Sequence, residues 1–108
     1  MDGLTEARQT IEECDREMAA LFEKRMAAVR EIALYKKERG LPVYVPEREQ
    51  ELLLKNSALI RDPAVLKYYR QFLQEVMDVS KQYQEALISG TEARNGEIRQ
   101  GSGGEEIS

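Results

Sequence analysis

From Leu4 to Tyr35, ten positions recur at alternating spacings of three and four: Leu4, Ala7, Ile11, Cys14, Met18, Leu21, Arg25, Ala28, Ile32 and Tyr35. Nine of the ten are apolar or aromatic. This is the stripe of a helix covered along its whole length by other helices. No Gly or Pro interrupts Leu4 to Arg39, and Ala, Glu, Arg, Lys, Leu and Met dominate it, so the pattern predicts one long helix. Asp2 or Thr5 suits its N-cap, and Gly40 followed by Pro42 ends it. Leu41-Pro-Val-Tyr-Val45 reads as an extended connection. Pro46, with Glu47 and Glu49 behind it, opens a second helix expected to run to about Leu59. Asp62-Pro63 opens a third, which continues to about Ser89 with a stripe at Tyr69, Leu73, Val76, Ser80, Tyr83 and Leu87.

The fold class expected is therefore all-α, with helices in the order long, short, long. The first helix has a length of roughly 54 Å, whereas a compact globule of this size has a radius of gyration of about 13 Å. Such a helix protrudes unless a partner covers it. An intertwined homodimer of long helices meets that demand, and a monomeric hairpin does not. Residues 1–89 are read as the helical domain. Residues 90–108 hold five of the seven glycines and read as a flexible tail or linker.

Composition narrows the chemistry. Acids and bases are interspersed at a net charge of −4, which offers no basic footprint for nucleic acid. No apolar run reaches the roughly 18 residues of a membrane span, and no signal-peptide pattern is seen. The single cysteine, Cys14, fits a reducing compartment, and a cytoplasmic protein is expected. Histidine is absent, so neither a near-neutral proton shuttle nor a Cys/His metal site is expected, and no cofactor is called for.

Arg25 is the one charge in the ten-position stripe. A guanidinium there either pairs with a carboxylate of a neighbouring helix, snorkels to water, or meets an anionic ligand. Lys36 lies eleven residues on, about three turns, so it shares the face of Arg25 at roughly 16 Å along the axis. Arg8 is seventeen residues before Arg25, about 25 Å along one helix, so the two cannot grip one small molecule from the same chain. In an antiparallel dimer, Arg8 of one chain approaches the middle of the other's helix. Arg48 and Glu49 open the second helix beside the loop, and Ser80 and Gln84 share one face of the third. Taken singly, a solvated surface charge is the usual reading for Arg8, Arg48 and Glu49, and Ser80 and Gln84 are weak signals that fit side chains bonded to backbone carbonyls.

Taken in order, these residues resemble the signature of AroQ-type (type II, all-helical) chorismate mutases. The run passes through Arg8-x-x-Ile11-x-x-x-Asp15, Leu21-Phe-Glu-Lys-Arg25, Ile32-Ala-x-x-Lys36 and Pro42-Val43. It then continues through Arg48-Glu49-x-x-x-Leu53 to Ser80-x-x-x-Gln84. The resemblance implies a homodimer that rearranges chorismate, a small dianion, to prephenate in phenylalanine and tyrosine biosynthesis, on the shikimate pathway, without metal or cofactor. It implies that Arg25 and Lys36 bind a substrate carboxylate and the ether oxygen, and that Arg8 reaches in from the partner chain. It further implies Glu49 at the ring hydroxyl, Arg48 and Ser80 at the ring carboxylate, and Gln84 beside Lys36 at the ether oxygen. Many bacterial members carry an aspartate where Val45 stands, so only the Val45 backbone is expected to serve substrate. An isochorismate pyruvate-lyase on the same scaffold and a non-catalytic regulatory or dimerisation module are the alternatives. A fused or associated pathway enzyme is a further expected partner.

Overall fold

In a computed structural model, residues 2–90 are described, and they form three α-helices with no strand among them: α1 Gly3–Arg39, α2 Pro46–Ser57 and α3 Leu66–Ser89. The reading of residues 90–108 as a tail falls, beyond Gly90, outside the described residues. α1 begins where the Asp2 carboxylate accepts the Thr5 backbone N–H at 2.7 Å. That bond holds the Asp2 carboxyl below its ordinary range. α1 ends in a Schellman arrangement. Gly40 turns left-handed at φ 63°, Leu41 N–H reaches back to the Lys36 carbonyl at 2.9 Å, and Gly40 N–H reaches Lys37 at 3.4 Å. Glycine is needed there because a Cβ is strained at that φ.

Pro46 occupies the first turn of α2, whose leading N–H groups are taken by the Val45 carbonyl: Arg48 N–H at 3.0 Å and Glu49 N–H at 3.2 Å. The helix stops at Ser57, two residues before the Leu59 expected from sequence. The Asn56 amide donates to the Leu52 carbonyl at 2.9 Å, and the chain then turns, with Leu59 and Ile60 N–H closing onto Asn56 and Ser57. Asp62 caps Ala64 N–H at 3.0 Å, and Pro63–Val65 make one 3-10 turn before α3 starts.

α3 is the central element, packing on both α1 and α2. Its buried line is Leu73, Met77, Ser80, Gln84 and Leu87. Val76 and Tyr83, which the sequence stripe placed centrally, lie half-buried on its flank. α1 meets α3 through Val29 and Ala33, with Met26 and Lys36 beside them, rather than through the ten-position stripe. Within one chain that stripe faces outward: Leu4, Ile11, Met18, Leu21, Ile32 and Tyr35 are all exposed, and only Arg25 is half-buried. α1 carries two apolar lines, and the longer one is not the one α3 covers. The radius of gyration is 17.1 Å, with extents of 53 × 39 × 17 Å, well beyond the roughly 12–13 Å of a compact chain this long. No described helix is long and apolar enough to cross a membrane.

Candidate functional site

The helices and the 43–45 connection enclose a cleft of about 350 Å³. Arg25, Ile32 and Lys36 come from α1, Val43 and Val45 from the connection, Arg48, Glu49 and Leu52 from α2, and Met77, Ser80, Lys81 and Gln84 from α3. Seven of the eight residues singled out in the sequence thus meet in one place. The eighth, Arg8, stands exposed in the second turn of α1, about 25 Å along the helix from Arg25, and does not line this cleft.

Helix geometry explains the gathering. Arg25 and Lys36 sit three turns apart on one α1 face, and Ser80 and Gln84 sit one turn apart on the buried line of α3. The Schellman turn and Pro42 swing the connection back over Lys36, so Val43 and Val45 roof the cleft.

Arg25 Nη1 donates to Ser80 Oγ, and the Ser80 hydroxyl in turn donates to the Val76 carbonyl at 2.8 Å. Arg25 is half-buried, and among the described residues its partner is this hydroxyl and not a carboxylate. Lys36 Nζ donates to the Val43 carbonyl at 3.0 Å, and burial pushes its pKa below the usual 10.5. Among the described residues, no carboxylate lies within ion-pair distance of Arg25 or Lys36. Two partly buried cations therefore face the cleft with neutral partners only. Arg48 instead bonds Glu51 at 2.9 Å on the exposed side of α2. The Val45 carbonyl is already engaged by two α2 N–H groups, and its side chain lines the cleft.

Gln84 is only 7% exposed, and its Oε1 has no hydrogen-bond partner in the described chain. A buried amide oxygen left unpaired is costly, so this group is held in place by packing, not by polar satisfaction. Glu49 is anchored from α3: Lys81 Nζ reaches its Oε2 at 2.8 Å, and Gln74 Nε2 donates to its Oε1 at 3.3 Å. Lys81 carries no signal of this role in the sequence. A lysine between Ser80 and Gln84 on a charged helix looks like a solvated side chain, and only the crossing of α2 over α3 reveals its partner. The Glu49 bond raises its pKa.

The arrangement is chemically specific. It offers fixed cationic and neutral N–H donors, one anchored carboxylate acceptor and apolar walls, and suits a small anion with hydrogen-bonding groups.

Comparison with known proteins follows the same line. Residues 7–85 match the model of the family described as chorismate mutase type II. The T-protein of Haemophilus influenzae is 42% identical over 53 residues, covering 49% of this chain and 14% of that protein. The bifunctional chorismate mutase/prephenate dehydratase of Aquifex aeolicus is 27% identical over 96 residues, 82% of this chain and 26% of that protein. The T-protein of Enterobacter agglomerans is 42% identical over 50 residues, 46% of this chain and 13% of that protein. The chain thus spans a quarter or less of the length of the Haemophilus and Enterobacter relatives and about a quarter of the Aquifex one. No solved structure matches. With the family model covering most of the chain and the whole of the cleft, the chain belongs to the chorismate mutase type II family.

Proposed function

We propose that the chain rearranges chorismate to prephenate in the α1–α2–α3 cleft, as an antiparallel homodimer in which the partner subunit's Arg8 completes each site. The observation that carries this reading is the pair of partly buried cations, Arg25 and Lys36, that no carboxylate of the described chain neutralises. Charges placed this way call for an anionic ligand.

The reaction is a unimolecular shift: one ether C–O bond breaks, one C–C bond forms, and nothing is transferred. It needs no nucleophile and no obligatory proton transfer. It needs the flexible substrate held in its compact reactive shape, and the charge growing on the ether oxygen met by fixed donors. In this reading Arg25 and the partner subunit's Arg8 hold the side-chain carboxylate. Lys36 and Gln84 donate to the ether oxygen. Arg48 and Ser80 serve the ring carboxylate, which asks Arg48 to leave Glu51, an exposed pair of small energetic worth. Glu49 accepts from the ring hydroxyl, and Val45 supplies an apolar wall, its backbone N–H being the group left for substrate since its carbonyl is taken by α2.

The exposed α1 stripe supports the dimer: a second copy burying Leu4, Ile11, Met18 and Leu21 removes a continuous apolar surface from water. The Aquifex relative couples a mutase with a dehydratase in its name, which supports a fused or associated enzyme of the same pathway for this chain too. A cytoplasmic location belongs to the same reading.

Incubating the protein separately with chorismate and isochorismate tests it. Prephenate from chorismate is the expected result. Pyruvate release from isochorismate without prephenate from chorismate moves the assignment to the lyase, and no turnover of either moves it to a non-catalytic module.

A further inference from the structure

The cleft lining holds four cations, Arg25, Lys36, Arg48 and Lys81, and one carboxylate, Glu49. A dianion entering such a cleft is drawn in by the cations and repelled by the carboxylate. Glu49 is also the lining group best suited to accept a hydrogen bond from a substrate hydroxyl, so it has to be present and yet electrically quiet.

Lys81 meets that requirement. Its Nζ lies 2.8 Å from Glu49 Oε2 and 3.4 Å from Asp78 Oδ1, and 4.5 Å from the centre of the Tyr44 ring. The pair is largely screened from water, with the Lys81 and Glu49 side chains 24% and 16% exposed. Gln74 completes the frame, donating to Glu49 Oε1 at 3.3 Å and to Asp78 Oδ1 at 3.1 Å. Each Glu49 oxygen thus has one donor from α3 and keeps lone-pair capacity for a ligand. The ammonium is committed to two carboxylates and covered by Tyr44, so it acts on Glu49, not on substrate.

We propose that Lys81 is a positioning residue that fixes Glu49 across the α2–α3 junction and cancels its charge, so that Glu49 selects a hydroxyl-bearing dianion without repelling it. The proposal rests on the functional reading above. An uncancelled Glu49 charge repels substrate and transition state alike, so its signature is a change in KM with little change in kcat. A role in folding alone does not produce that split.

The experiment is steady-state chorismate kinetics on the full chain for the wild type, Lys81→Met, Lys81→Arg, Glu49→Gln and the Lys81→Met/Glu49→Gln double variant. Lys81→Gln replaces the Met variant if that one does not fold. Lys81→Met is expected to raise KM roughly tenfold or more with kcat within about threefold, and Lys81→Arg to restore KM. In the Glu49→Gln background, where no charge is left to cancel, Lys81→Met is expected to shift KM by less than about twofold. A fall in kcat at unchanged KM, effects of the two residues that simply add, or no rescue by Arg overturns the assignment. A wild type that does not turn over chorismate overturns the functional reading itself, whereas an active wild type with additive variants overturns the role of Lys81 alone.

Discussion

Gln84 sets stability against function in a measurable way. It sits on the buried line of α3 at 7% exposure, flanked by Met77, Ser80 and Leu87, and its Oε1 is unpaired. An unsatisfied buried oxygen costs about 1–3 kcal/mol. Gln84→Met keeps the length and the unbranched shape while removing that oxygen, and a thioether adapts to an irregular gap. Allowing for imperfect repacking, the variant is expected to be more stable by about 1 kcal/mol, or about 4–8 °C in Tm for a domain of this size. The same change deletes the neutral donor assigned to the breaking ether oxygen. Loss of one preorganised donor of this kind costs on the order of 10²–10³ in kcat. Thermal unfolding by far-UV circular dichroism, at matched protein concentration because the Tm of the proposed dimer depends on it, measures the first number. Chorismate consumption under saturating substrate measures the second. A Gln84→Met protein that melts several degrees lower and keeps kcat within tenfold of wild type refutes both halves of the reasoning.

Burial holds the Lys36 pKa below 10.5, so kcat/KM is expected to fall on the alkaline side with a midpoint below 10.5 as this cation is lost. The sign for stability is opposite: between the folded and unfolded pKa values the unfolded chain binds the extra proton, so the Lys36 contribution makes the fold more stable as pH rises through that window. Gln84 carries no titrating proton, so no steep loss of rate is expected between about pH 5 and about pH 8; a steep loss there contradicts its role as donor. Leu21 is 62% exposed in one chain, so Leu21→Asp is expected to leave the helical fold intact while splitting the proposed dimer. Sedimentation then shows a monomer at micromolar concentration with activity that rises with protein concentration, and an unaltered dimer contradicts the placement of the interface on α1.

Much of the fold is legible in the chain because its punctuation is local. Gly40 with Pro42, Pro46, and Asp62-Pro63 each act through φ limits and missing N–H groups that need no tertiary context. The end of α2 was less legible, since an Asn56 side-chain bond and the following turn stop it before its apolar residues run out. The face of α1 was legible only in part. The periodicity marked the longest apolar line, whereas α3 packs on the shorter one through Val29 and Ala33. For the site, spacing on a single helix placed Arg25 with Lys36 and Ser80 with Gln84, and all four line the cleft. Lys81 was invisible for a physical reason: its meaning lies in Glu49 and Tyr44, which come from other segments and reach it only when α2 and the connection close over α3.

The proposed function turns on Arg25 being held in the cleft to bind an anionic substrate. Chorismate consumption by Arg25→Ala, measured beside wild type on protein shown by circular dichroism and sedimentation to keep its helices and assembly, tests it most directly. The expected result is a loss in kcat/KM of at least about 10³, as when a charge-assisted donor in a partly buried site is removed. A folded Arg25→Ala protein that consumes chorismate as fast as wild type contradicts it.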